Sequence, residues 1–90
     1  MKFEWNEAKA AVNLKIHGVS FDEAIEVFFD PNAVEGFDIE HSKNENRFYI
    51  IGFSSRRLLY VIYAERDGDV IRLISARKAE QKKQKEYEER

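Results

Sequence analysis

The chain has no cysteine, a single proline and four glycines in 90 residues. Without cysteine there is no disulfide framework, no thiolate nucleophile and no thiolate-bound zinc. The glycines, Gly18, Gly36, Gly52 and Gly68, stand alone, so no glycine-rich loop cradles a phosphate and no nucleotide cofactor is expected. The two histidines, His17 and His41, lie on unlike predicted elements with no HExxH motif or Asp-rich loop beside them. No metal is therefore expected. No serine sits in a nucleophile-elbow context. Apolar runs are only a few residues long, so no segment is expected to span a membrane. The start, Met1-Lys2-Phe3-Glu4-Trp5-Asn6-Glu7, is acidic and broken by polar residues. It does not read as a signal peptide, and a cytoplasmic protein is expected.

What is present is enough for one core. Hydrophobic residues make up 43% and aromatics 13% of the chain. That composition folds, and its length fits a single domain over residues 1–90. Charge is uneven. Residues 1–45 carry a net −6 and residues 46–90 a net +4. An overall pI of 5.7 argues against indiscriminate nucleic-acid binding, but the second half can still build one basic face. Six arginines, Arg47, Arg56, Arg57, Arg66, Arg72 and Arg77, crowd into its span 47–77. The planar guanidinium fork matches phosphate geometry.

The pattern predicts an α+β fold. Phe3–Trp5 reads as a short first strand. Asn6 is a good helix N-cap, and Ala8, Ala11, Val12 and Ile16 recur at helical spacing up to a Gly18 stop. Ser20-Phe21-Asp22-Glu23 reads as a capping box, and Phe21, Ala24, Ile25 and Phe28 follow as an apolar stripe ended by Asp30-Pro31. These two segments predict an N-terminal helical hairpin with an apolar seam. Ala33–Phe37 reads as an edge strand and Asp38–Asn46 as a polar loop. Arg47–Phe53, Leu58–Glu65 and Val70–Ala76 are rich in β-formers, with an Asp67-Gly68 hairpin signal before the last. Lys78–Arg90 reads as a charged C-terminal helix. The architecture expected is the hairpin on one face of an antiparallel sheet, with the other face open, covered by the charged helix or covered by another molecule.

Arginines on strands call for a reason. In Val70–Arg77, regular alternation places Arg72 and Arg77 on opposite faces unless the strand bulges. Arg72, on an inner strand, calls for an ion pair with Glu65 or Asp69, an edge position or a ligand. Arg77 opens a cationic run with Lys78, Lys82, Lys83 and Lys85, which is either a solvated helix face or a phosphate-binding track. Arg47 neighbours Glu45, as a surface pair or a site. Arg57 belongs to a turn. Tyr87 is a packing anchor or a site residue. His17 is a helix-end cap favoured by the dipole, and His41 is either a solvated loop residue or a proton carrier. Arg47, Arg57 and Arg77 near antiparallel strand ends could together neutralise a pentacoordinate phosphate. The nucleophile would then come from RNA itself, as the 2′-hydroxyl, with a carboxylate such as Glu45, or a nearby Lys, Tyr or His, moving protons. A helix–turn–helix DNA reader over 7–29 is disfavoured, because its second helix carries Asp22, Glu23 and Glu26 and no cation.

The chain resembles the BrnT family of toxins from type II toxin–antitoxin systems. The resemblance is carried by Phe3-Glu4-Trp5-Asn6-Glu7-Ala8-Lys9, Asn13-Leu14-Lys15-Ile16-His17-Gly18-Val19-Ser20-Phe21, Glu26-Val27-Phe28 and Asp30-Pro31. It continues through Glu45-Asn46-Arg47-Phe48, Ile51-Gly52 and Ile71-Arg72-Leu73-Ile74-Ser75-Ala76-Arg77-Lys78-Ala79. It implies a RelE-like toxin domain and an endoribonuclease that blocks translation as an mRNA interferase. It also implies a hetero-oligomer with a cognate DNA-binding antitoxin resembling BrnA. It places catalysis on Arg47, Arg72, Arg77, Glu45 and Tyr87, and RNA binding on His41, Arg57, Lys78 and Lys82. The alternative is a catalytically inactive module that binds the antitoxin as an operon co-repressor.

Overall fold

Two side-chain caps set the N-terminal third in place. In the computed structural model, which describes residues 1–42 and 45–90 apart from the side chain of His41, Asn6 accepts a hydrogen bond from the Lys9 N–H at 3.0 Å. This starts α1 (Glu7–His17), which ends at Gly18 in the left-handed conformation, φ 69°. Ser20 accepts from the Glu23 N–H at 3.0 Å and starts α2 (Phe21–Val27). The Glu23 carboxylate does not complete the expected capping box. It turns instead to Arg57 and Ser54.

The strands are β1 (Lys2–Glu4), β2 (Val34–Phe37), β3 (Arg47–Phe53), β4 (Leu58–Arg66) and β5 (Val70–Lys78), followed by α3 (Gln81–Glu88). They form one sheet in the order β1-β5-β4-β3-β2. The sheet is mixed rather than antiparallel, because β1 runs parallel to β5 through Lys2↔Val70 and Glu4↔Arg72. The crossover from β1 to β5 contains the rest of the sheet, so no hairpin constrains its direction.

The helical hairpin with an apolar seam is also corrected. α1 packs on β5 and α2 on β3, β4 and β5, and neither takes the other as its main partner. Val12 and Ile16, read from the sequence as seam residues, are 54% and 68% exposed. Asn13 is the buried residue of α1. Its amide nitrogen donates to the carbonyls of Val19 at 2.9 Å and Ala76 at 2.8 Å, and its oxygen accepts from the Ala76 N–H at 3.1 Å. β1 stops at Glu4, opposite Arg72, so the rest of the β5 edge has no neighbouring strand. The Asn13 amide replaces that strand for Ala76 and fixes the rotation of α1.

The main core lies between the helices and one sheet face. It joins Val19, Phe21, Ala24 and Val27 to Ile50, Leu59, Val61, Tyr63 and Leu73. On the opposite face α3 covers the β3 side. There Tyr87 and Ala79 pack with Ile51, Val34 and Leu58.

One irregularity decides what the uncovered face displays. The β4–β5 register runs Tyr63↔Leu73 and then Ile62↔Ser75, so Ile74 is an extra residue. Leu73 and Ala76 both face the main core across this bulge. Arg72, before Leu73, and Arg77, after Ala76, therefore share the other face. The opposite-face placement that regular alternation gives is overturned by one residue.

Asn13→Leu leaves the Ala76 N–H and two carbonyls without partners. Chemical denaturation should show a loss of about 2–3 kcal/mol. An exposed change such as Lys15→Ala should fall within about 0.5 kcal/mol.

Candidate active site

The bulge, β3, β4 and α3 bring five side chains to one cleft. Tyr49 on β3 and Tyr60 on β4 lie side by side, with ring centroids 5.7 Å apart. Arg77, paired with Tyr60 across the β4–β5 ladder, sets its guanidinium carbon 5.3 Å from that ring's centroid. Lys83, in the first turn of α3, places Nζ 5.0 Å from the Tyr49 centroid and 4.8 Å from that of Tyr60. Glu86, one turn further, accepts a hydrogen bond from the Tyr49 hydroxyl and stands 3.8 Å from Lys83. The cleft, about 390 Å³, is bounded on its far side by Phe37, Asp38, Ile39 and Glu40. Its floor depends on Gly36. A Cβ there would run into the Tyr49 ring, so only glycine lets the ring lie over β2.

The electrostatics follow from these contacts. The bond to Glu86 raises the Tyr49 hydroxyl to about 12, with burial and the Glu86 charge acting in the same direction. Burial also raises Tyr60, helped by the Asp38 charge and opposed by Arg77. Both tyrosines are therefore neutral at pH 7. The formal charges at the cleft mouth are those of Arg77, Lys83, Glu86, Asp38 and Glu40. Two cations over aromatic faces, with a carboxylate beside Lys83, can hold an anionic group, offer a stacking surface and accept a proton.

A second charged group lies at the other end of β4. Arg47 and Arg72 flank Ala64 on neighbouring strands. Arg47 is 3.8 Å and Arg66 3.9 Å from Glu45, and Arg72 is 3.5 Å from Glu4. The partner of Arg72 is thus on β1, and not the Glu65 or Asp69 that the sequence suggested. Ala64 and Tyr60 are four residues apart, which separates this group from Arg77 by about 13 Å. The structure does not bring Arg47, Arg72 and Arg77 to one point.

The remaining candidates are scattered. Arg57 donates to both oxygens of the buried Glu23 at 2.9 and 2.8 Å, and to the Gly18 carbonyl at 2.8 Å. These bonds hold the β3–β4 turn to the helices, so Arg57, expected to bind RNA, has its guanidinium engaged within the fold. Tyr87 is buried, donates to Asp30 at 2.8 Å and packs edge-on against Phe53, so it is the anchor of α3. Its hydroxyl, expected to serve catalysis, is engaged by Asp30. Lys78 alternates with Arg77 and projects from the opposite face. Lys82 is exposed on α3, beside Lys83 in sequence. The side chain of His41 lies outside the described residues.

Sequence reasoning missed Tyr49, Tyr60 and Glu86, and marked Lys83 only as one member of the cationic run after Arg77. Lys83 and Glu86 do carry a local signal, since they stand three apart on one helix face. The pairing of Tyr49 with Tyr60 needs the strand register, which no local pattern reveals.

Residues 5–83 match the family described as ribonuclease toxin, BrnT, of type II toxin–antitoxin system. The chain belongs to the BrnT family. The 1.1 Å crystal structure of the Brucella abortus ribonuclease toxin BrnT is similar to it, with a TM-score of 0.68 and 26% identity. The similarity covers 90% of this chain and 99% of the Brucella chain. Among curated proteins no sequence matches. A BrnT toxin of type II systems has an antitoxin partner and an RNA target. No helix among the described residues is long and apolar enough to cross a membrane.

Two titrations check this geometry. Ultraviolet or NMR titration should show Tyr49 ionising near pH 12, and Glu86→Gln should bring it back toward its ordinary value of 10. The Arg57 bond, outweighing burial, holds Glu23 below its ordinary 4.5. That contribution is complete above pH 4.5 and is lost as pH falls through the lower folded value. Melting temperatures across this acid range should fall less steeply for Glu23→Gln than for the wild type.

Proposed function

We propose that this BrnT protein is a metal-independent endoribonuclease that cuts RNA at the Tyr49–Tyr60–Arg77–Lys83–Glu86 cleft and so inhibits translation. The observation that carries the reading is the pair of cations, Arg77 and Lys83, held over two tyrosine rings with a carboxylate alongside.

Each part answers a need of the reaction. The attacking group is the substrate's own 2′-oxygen, so the protein need not supply a nucleophile. Glu86, beside Lys83 and Tyr49, accepts the 2′-hydroxyl proton. The 2′-oxygen then bonds to phosphorus and the bond to the 5′-oxygen breaks. Arg77 stabilises the charge that grows on the non-bridging oxygens. Lys83 donates a proton to the departing 5′-oxygen. The products are a 2′,3′-cyclic phosphate and a 5′-hydroxyl. Tyr60 offers its ring to a base beside the cut, since stacking accepts any base. Arg47, Arg72 and Glu45 lie too far away to touch the same phosphorus, and their part in the protein is separate from bond cleavage.

The cognate antitoxin is expected to be a DNA-binding protein of the BrnA kind, joined to this chain in a hetero-oligomer.

Arg77→Ala should lower RNA cleavage by about 10²–10³-fold with an unchanged melting temperature, and Lys83→Ala should act similarly. Wild-type cleavage should persist in excess chelator, leave cyclic phosphate ends and spare a substrate with a 2′-deoxy residue at the cut. Induced in a host without antitoxin, the wild type should arrest growth and Arg77→Ala should not. A well-folded wild type that binds antitoxin but cleaves no RNA would leave the inactive co-repressor module as the function.

A further inference from the structure

A groove of about 420 Å³ runs between α1 and the uncovered face of β5. Ala8, Val12, Ile16 and Ile74 line it with aliphatic surface, and Lys9 and Arg47 supply its charge. Among the described residues no carboxylate lines it. Val12 and Ile16 are more than half exposed because the Asn13 bonds turn this side of α1 outward. An independent observation comes from Arg47. Its Nε is buried and has no hydrogen-bond partner among the described residues, since Glu45 at 3.8 Å is out of reach. Such a donor calls for an acceptor, and none of the described residues provides one.

We propose that this groove is the docking site of the cognate antitoxin, filled by a short amphipathic segment. Aliphatic side chains of the segment pack on Val12, Ile16 and Ile74, and a carboxylate reaches Arg47 and Lys9. The proposal rests on the reading of the chain as a toxin with a protein antagonist. The lining chooses protein over RNA. Of the side chains lining it, four are aliphatic and one, His17, carries a ring; bases stack on aromatic rings, whereas aliphatic surface is what an amphipathic segment buries. Next to the groove, Glu4, Glu45, Glu65 and Asp67 gather around Arg66 and would repel a phosphate backbone. The cations of the groove select the sign of the segment's charge, and its aliphatic wall supplies most of the affinity. The groove is separate from the Arg77 cleft, so antitoxin capture and RNA cleavage respond to different substitutions.

The test measures affinity for the full-length antitoxin, produced from the neighbouring reading frame, by calorimetry on the full chain. Val12→Gln combined with Ile16→Gln removes the aliphatic wall with residues that suit an exposed helix. It should weaken antitoxin binding about 100-fold and leave RNA cleavage and melting unchanged. Arg47→Met should weaken binding about tenfold and reduce its salt dependence. Arg77→Ala should bind antitoxin as the wild type does. Wild-type affinity in the double variant overturns the proposal. So does a joint loss of cleavage and antitoxin binding in a variant that still melts normally, which would assign the groove to RNA. A wild-type chain that self-associates where the double variant is monomeric also overturns it, in favour of a second copy. If the wild type cleaves no RNA, the ribonuclease reading fails alone, and the affinity difference still decides the docking site.

Discussion

The amide of Asn13 is the contact on which the arrangement of this protein turns. A three-residue β1 leaves most of the β5 edge uncovered, and exposed strand edges are a liability. One asparagine side chain supplies both a donor and an acceptor to Ala76 and ties Val19 to the same point. The first helix is thereby pinned to the sheet by polar geometry rather than by an apolar stripe. The stripe then points away from the core. The rest follows: α2 covers the main core, α1 forms a wall beside the open face, and the open face keeps its arginines.

The two faces of the sheet therefore do different work. The helix-covered face holds the main core, from Val19 to Leu73. Its polar closure is the Glu23–Arg57 pair, which binds turn to helix with a bidentate contact. The other face is divided by Ala64 and Ile62, with a tyrosine–cation group at the α3 end and an arginine–glutamate group at the β1 end. α3 is short and polar, yet it is well anchored. Tyr87 fastens it to Asp30 and Phe53, and Lys83 and Glu86 reach the sheet tyrosines.

Much of the fold was legible in the sequence. Asn6, Gly18 and Ser20 announced the helix ends because caps are local, and runs of β-formers with the Asp67-Gly68 hairpin signal announced β3, β4 and β5. The direction of β1 was not legible, since three residues far from their partner carry no orientation signal. Helical spacing misplaced Val12 and Ile16, because a buried asparagine outweighed the apolar stripe in setting the helix's rotation. The site was half visible. Arg77 was marked by its strand and its cationic neighbours, whereas Tyr49, Tyr60 and Glu86 meet it only through register and tertiary packing. Arg57 and Tyr87 have the residue types that phosphate chemistry uses, but Glu23 and Asp30 claim them for structure. Residue type alone does not separate these roles.

The bulge at Ile74 puts four residues between Arg72 and Arg77, yet both arginines share a face. Each later residue of β5 keeps its side because the extra residue is held out of the ladder. Drawing Ile74 into the ladder at constant length would exchange inside for outside from Ser75 onward, setting Arg77 against the core and Ala76 against solvent. Loss of the Ile74 codon would instead leave Ser75 opposite Ile62 and every later side chain on its present face. The bulge is a reserve of one residue: β5 can lose a residue there and keep its faces, but it cannot be straightened without losing them.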